Sequence, residues 1–182
     1  MGQGDHIIRE RQFKLVEGDN PILQIKLSGV SEECNRHQLA EDLDVTMETF
    51  HGLGLSANQI GIMERAFIMY SNFKNREKLV CFNPEIIQYS PDEVFEDEGC
   101  LSYPGLWLKI KRPASIVLKY EDAEGKVIER PFTGLESRIA QHEYDHMEGL
   151  NFMNRVSKLR LQMATKRRDK QLKKSNRIKG LA

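Results

Sequence analysis

Gln141-His142-Glu143-Tyr144-Asp145-His146-Met147-Glu148-Gly149 sets two histidines four residues apart, with a glutamate directly after the first. On a helix, positions i and i+4 stack on one face, so His142 and His146 can grip a single metal ion. Glu143 then stands beside that ion and beside any water on it, where a carboxylate can act as a general base. Two imidazoles do not complete such a site. Catalytic centres of this kind take three protein ligands and keep one position open.

The third ligand is not downstream. In metzincins it is a histidine three residues past the glycine, and that position here is Phe152. No histidine follows His146, and the later carboxylates are only Glu148, one turn too close, and Asp169, inside a basic segment. Upstream, His6, His37 and His51 read as surface or helix residues, and Cys34 has no supporting pattern. Cys81 lies in Leu79-Val80-Cys81-Phe82, a buried strand in which a free thiol behaves as a small hydrophobe. Cys100 differs. It sits in Glu98-Gly99-Cys100-Leu101-Ser102, where a strand runs into a turn, and Gly99 permits close backbone approach to a ligand. A lone cysteine is more often structural than catalytic, but an unfilled metal site in the same chain reverses that preference.

Three motifs in order, Gly52-Leu53-Gly54-Leu55-Ser56-Ala57-Asn58-Gln59, Glu98-Gly99-Cys100-Leu101-Ser102 and Gln141-His142-Glu143-Tyr144-Asp145-His146, resemble those of the peptide deformylases over about residues 20–160. Ser56 departs from the family's usual alanine, a small-for-small change that bears on packing rather than chemistry. The resemblance implies removal of the formyl group from the N-formylmethionine of new polypeptides, with release of formate. It implies Cys100, His142 and His146 as metal ligands, Glu143 as the base, and the Gln59 side-chain amide with the Leu101 backbone N–H as oxyanion donors. One divalent ion is implied, iron(II) in the cell, with zinc, nickel or cobalt as alternatives that two imidazoles and a thiolate also suit. Gly54, Leu55, Gly99 and Leu135 are the expected substrate contacts, Gly54 because a side chain there would obstruct an extended peptide. Glu98 is expected to pair with Arg112 and anchor the Cys100 loop. Asp145 is a further local helper for a metal-bound ring.

Fold expectations follow from periodicity. Leu39, Leu43, Met47 and Phe50 form a helical stripe, with Gly52 as its C-terminal cap. Alternating strands are read at 65–70, 106–110, 115–120 and 126–130, the last two joined by an Asp122-Ala123-Glu124-Gly125 turn and the last closed by Pro131. The metal-binding helix begins near Gly134, with Leu135 and Ile139 on the side of the histidines as methionine pocket or core. The expected class is α+β: antiparallel β-sheets packed around that central helix, plus an N-terminal helix and a basic C-terminal helix. Trp107 either borders the peptide groove or is a half-buried strand aromatic, the latter being the expectation.

Residues 1–154 are read as the catalytic domain and 155–182 as its basic helical extension. The net charge of zero conceals a division: residues 155–182 hold 11 Lys and Arg against Asp169, and residues 1–154 hold 16 against 26 Asp and Glu. The tail from Val156 to Lys179 has no proline, glycine or aromatic residue, so a long helix is expected, able to pack only in its first part. By resemblance it docks on the ribosome. Three cysteines at unrelated spacings argue against a disulfide framework. With no membrane-length apolar run and no signal-peptide or transit pattern, a cytoplasmic monomer is expected. Two other readings stay open: an HExxH metalloprotease, and a ribosome- or RNA-binding module on a retired enzyme fold.

Overall fold

The computed structural model describes residues 13–179, with side chains as far as residue 175; His6 lies outside the described residues. The N-terminal helix α1 (Arg36–Thr49) is followed by strands β1 (Gly54–Ser56), β2 (Ala66–Asn72), β3 (Glu77–Tyr89), β4 (Glu93–Gly99), β5 (Trp107–Pro113), β6 (Ser115–Glu121) and β7 (Val127–Thr133). Helix α2 (Gly134–Met147) and helix α3 (Lys158–Lys179) complete the chain. An antiparallel five-stranded sheet runs β1-β2-β3-β6-β7, and β4-β5 forms a separate hairpin. Helix α2 touches strands of both sheets. The class is α+β, built around the helix that carries the two histidines.

Alternation explains which faces meet α2. In β6, Ile116, Leu118 and Tyr120 point inward, and they pack with Phe67, Cys81, Phe132, Ile139, Ala140 and Met147. In β5, Leu108, Ile110 and Arg112 are buried while Trp107, Lys109 and Lys111 face out. Leu39, Leu43 and Met47 of α1 form a second cluster with Leu55, Ile68 and Phe82. A third, Tyr103, Leu106, Leu108, Ile110 and Phe152, takes in Val156, Leu161 and Ala164 at the start of α3. The tail therefore packs only through its first turns. Of the apolar tail residues, Leu159, Met163 and Leu172 are exposed.

Two local expectations are corrected. The C-cap of α1 is Phe50, and the left-handed residue after it is His51 (φ 54°), not Gly52: the His51 N–H bonds Glu48 C=O, while the Gly52 N–H bonds Met47 C=O. Gly52 is a glycine for another reason, since a Cβ there would lie 2.8 Å from Leu101 Cδ1. Pro131 does not end its strand. It pairs opposite Val117 inside β7, which is an edge strand, where a missing N–H can be one that faces away from the sheet. Strand β3 extends well past Phe82, because Asn83 (φ 48°) and Pro84 sit at a shift of register rather than at a strand end.

Helix α2 ends in the same kind of cap as α1. Gly149 (φ 69°) and Leu150 return hydrogen bonds to His146 and Asp145, and a Cβ on Gly149 would lie 2.6 Å from Gln24 C=O. Gly149→Ala therefore combines backbone strain with a backbone clash, each of about 1–3 kcal/mol class. The melting temperature is expected to fall by roughly 4–24 °C in a calorimetric scan.

Candidate metal and hydrolytic site

One cleft of about 600 Å³ opens beside α2, with Gly54, Gln59, Gly99, Cys100, Leu101 and Leu135 in its wall. Ile139, His142 and Glu143 continue that wall from the helix itself. Leu55 is not part of it. One residue along a strand reverses the side chain, so Gly54 faces the cleft while Leu55 is fully buried in the α1 cluster. Leu135 is half exposed at the rim, and Ile139 is buried beneath it. Trp107 is 65% exposed and also lines the cleft, so the half-buried reading of it does not hold.

Ligand atoms of Cys100, His142 and His146 all lie within 4.8 Å of one another, and Cys100 Sγ is 3.4 Å from His146 Nε2. Tetrahedral bonds of about 2.0–2.3 Å separate ligand atoms by about 3.3–3.8 Å, so the donor set fits a metal ion of this type. The helix supplies both imidazoles, whose ring centroids are 5.1 Å apart, and the turn after β4 supplies the thiol. Phe152, where a metzincin would carry its third histidine, packs instead against the His142 ring at 5.8 Å. Burial, with His142 and Arg112 close by, pushes the His146 ring well below its ordinary pKa and keeps it neutral, the form that donates a lone pair.

Behind the donors lies a buried ionic cluster. The Glu98 carboxylate accepts from His142 Nδ1 (2.7 Å), from Arg112 Nε (2.8 Å) and Nη2 (2.5 Å), and from Arg138 Nη1 (3.1 Å). Burial alone would raise the Glu98 pKa, but Arg112 and His142 hold it far below the usual carboxylate range. Arg112 Nη1 continues to Asp145 (2.9 Å), which Arg155 also grips. Asp145 thus acts on the site through Arg112, and the carboxylate that orients His142 is Glu98. Arg138, one helical turn before His142, was not marked by any motif; its i−4 spacing to a ligand is the only sequence signal it carries.

Glu143 is buried, and its Oε2 has no hydrogen-bond partner among the described residues. Burial is the main cause that pushes this carboxyl up to about 7, with His142 opposing and Glu98 adding to it. Such a group can both take and return a proton near neutrality. A Cβ at position 54 would stand 2.5 Å from Glu143 Oε1 and 2.8 Å from Ile139 Cγ2, so glycine there lets β1 pass directly over the carboxylate. Gln59 is held at both ends. Its Oε1 accepts from the Ser56 N–H (3.0 Å) and hydroxyl (2.9 Å), and its Nε2 donates to Cys100 Sγ (3.3 Å) and Ser102 Oγ (3.2 Å). Asn58 adds a bond from Nδ2 to the His146 carbonyl (3.1 Å). Ser102 and Asn58 lay inside the motifs without a role assigned from sequence.

A family model described as polypeptide deformylase matches residues 12–162. The chain belongs to this family. A peptide deformylase of Prochlorococcus marinus (strain NATL1A) is 36% identical over 156 residues, covering 85% of this chain and 70% of the relative. One from Rhizobium meliloti is 34% identical over 81% of this chain and 87% of its own length. Among solved structures, a class I type b peptide deformylase from Acinetobacter baumannii superposes with a TM-score of 0.76 at 31% identity, over 80% of this chain and 99% of that one. The Synechococcus elongatus deformylase in complex with actinonin superposes at 0.81 with 28% identity, over 88% and 92%. The chain is accordingly a hydrolase of the deformylase type rather than a metalloprotease or a retired RNA-binding module. No helix of the described residues is long and apolar enough to cross a membrane.

Replacing Glu98 by Gln removes the charge that balances Arg112 and Arg138 and weakens the bond that orients the His142 ring. Partners of this kind are worth about 10–100-fold in metal affinity. Titration of metal-stripped Glu98→Gln protein is expected to show a loss in that range, with a lowered unfolding midpoint from the unbalanced buried arginines.

Proposed function

We propose that the chain removes the formyl group from N-formylmethionine at the start of new polypeptides, with Glu143 carrying the proton and Gln59 and Leu101 receiving the oxyanion. The observation that supports this most is the convergence of Cys100, His142, His146 and the otherwise unpartnered Glu143 on one cleft. Cys100, His142 and His146 would hold one divalent ion, which when bound lowers the pKa of water and polarises a carbonyl. Iron(II) is the ion proposed in the cell, with zinc, nickel or cobalt as the alternatives; elemental analysis of anaerobically purified, active protein separates them.

Glu143 takes a proton from the attacking water and returns it to the departing amine, so that formate and a free amino terminus leave. Gln59 suits the oxyanion because one of its amide protons rests on a sulfur at 3.3 Å, a weak acceptor that developing negative charge displaces. The Leu101 N–H makes no hydrogen bond among the described residues and is free to donate beside it. Gly54 and Gly99 leave backbone exposed along the cleft for an extended peptide, and Leu135 with Ile139 offers the apolar wall for methionine.

In this reading residues 1–154 form the catalytic unit of a cytoplasmic monomer. Residues 155–182 extend it as a basic arm, whose outward lysines (Lys158, Lys166, Lys170, Lys173) dock on the ribosome. Contacts of that kind weaken steeply with salt. A chain truncated after Arg155 is expected to lose ribosome affinity at low salt in a sedimentation assay, and unchanged affinity would remove this part of the reading.

For the chemistry, Glu143→Gln is expected to keep its metal but release formate from formyl-Met-Ala-Ser about 10²–10⁴-fold more slowly. Wild-type rates in a fully metallated Glu143→Gln protein would remove Glu143 from its role.

A further inference from the structure

A second groove of about 760 Å³ runs between the β4-β5 hairpin and α3. It shares Asp97, Gly105 and Trp107 with the catalytic cleft, so the two are continuous across the indole ring. Gly99 lets that ring lie flat on the β4 backbone, since a Cβ there would be 3.2 Å from it. The tail side of the groove is one face of α3: Arg160, Met163, Ala164, Arg167, Arg168 and Gln171, recurring at helical spacing. Lys158, Lys166, Lys170 and Lys173 fall outside it. The helix therefore presents two cationic faces, and only one of them lines the groove that meets the catalytic cleft at Trp107.

The groove is cationic over an apolar floor. Arg160 stacks on the Phe95 ring with its guanidinium carbon 5.3 Å from the centroid. Arg160, Arg167 and Lys109 have no carboxylate within salt-bridge distance among the described residues, whereas Arg168 is paired with Asp169. Elsewhere the chain repels acidic ligands, because residues 1–154 carry ten more carboxylates than Lys and Arg. An extended chain leaving the metal centre past Trp107 thus passes from an acidic body into a basic, partly apolar channel.

We propose that this groove binds the downstream part of the peptide substrate and selects for acidic side chains several residues after the formylmethionine. The inference rests on the deformylase reading, and it adds a specificity site to it. Continuity with the cleft favours a peptide over a nucleic acid here. The lysines proposed to dock on the ribosome lie outside this groove.

The test uses full-length, metallated protein and formyl-Met-Ala-Ser peptides extended to about eight residues, roughly 26 Å when extended, with acidic, neutral or basic extensions. At low salt the acidic peptide is expected to show about fivefold higher kcat/KM than the neutral one through a lower KM, as two or three exposed ion pairs would give. That ratio should collapse toward one at high salt and in Arg160→Glu/Arg167→Glu protein. Trp107 is the only tryptophan of the chain, so its fluorescence reads the groove without catalysis. Titration with the unformylated acidic peptide should change it saturably at low salt. If formyl-Met-Ala-Ser yields no formate while the acidic peptide still titrates Trp107, the deformylase reading fails and the groove stands. Equal kcat/KM for all three extensions, with no difference in the Trp107 titrations, overturns the groove. So does a double variant that loses affinity only for single-stranded RNA while its acidic-to-neutral ratio keeps the wild-type value.

Discussion

A single buried carboxylate organises this molecule. Glu98 lies at the penultimate position of strand β4, two residues before the cysteine, and it accepts hydrogen bonds from Arg112 on β5 and from Arg138 and His142 on α2. Hairpin and helix are thereby locked together where the thiol must meet the imidazoles. Two guanidinium groups sunk beside α2 would be costly without it, since an uncompensated buried charge destabilises by about 3–5 kcal/mol. Asp145 and the Gln141 carbonyl accept from Arg112 Nη1, and Asp145 passes the cluster on to Arg155, at the point where the tail begins. Charge balance in the interior and ligand geometry in the cleft are one problem, solved by the same side chains.

Close approach is the second constraint. Strand β1 crosses Glu143 without a side chain to separate them, and the Ser56-Gln59 turn that follows is held from both sides. The carboxylate is left without a protein partner on one oxygen and its pKa is raised toward neutrality by burial, which suits proton carriage. The placement of the Glu143 carboxylate and of the Gln59 amide arises from backbone packing as much as from residue type. The same logic places Gly99 beneath Trp107 and lets the indole form the ridge between two grooves.

The third feature is the segregation of charge. An acidic body (residues 1–154) and a basic tail (residues 155–182) of equal and opposite net charge are joined through an apolar seam of Val156, Leu161 and Ala164 against Leu106 and Leu108. Helix propensity and the lack of breakers make the helix; the seam fixes which of its faces looks back at the cleft. Had the tail been free of that seam, its arginines would have been an undirected cloud of charge.

The ligand-bearing helix, the short β1 motif and strands β5 to β7 were legible in the sequence because period and residue chemistry are local properties. His142 and His146 announce themselves at i and i+4, and Cys100 stands out once the chain downstream is seen to lack a donor. Other features were hidden because they depend on contacts between distant segments. His51 rather than Gly52 takes the left-handed conformation after α1, and Pro131 survives inside an edge strand. Leu55 turns away from the cleft, Trp107 turns toward it, and Arg138 joins Glu98. Sequence alone determined which atoms could hold a metal and move a proton. Tertiary structure decided which carboxylate bonds the His142 ring and which tail face lines the groove beside Trp107, because burial and approach are set by residues that meet only in the folded chain.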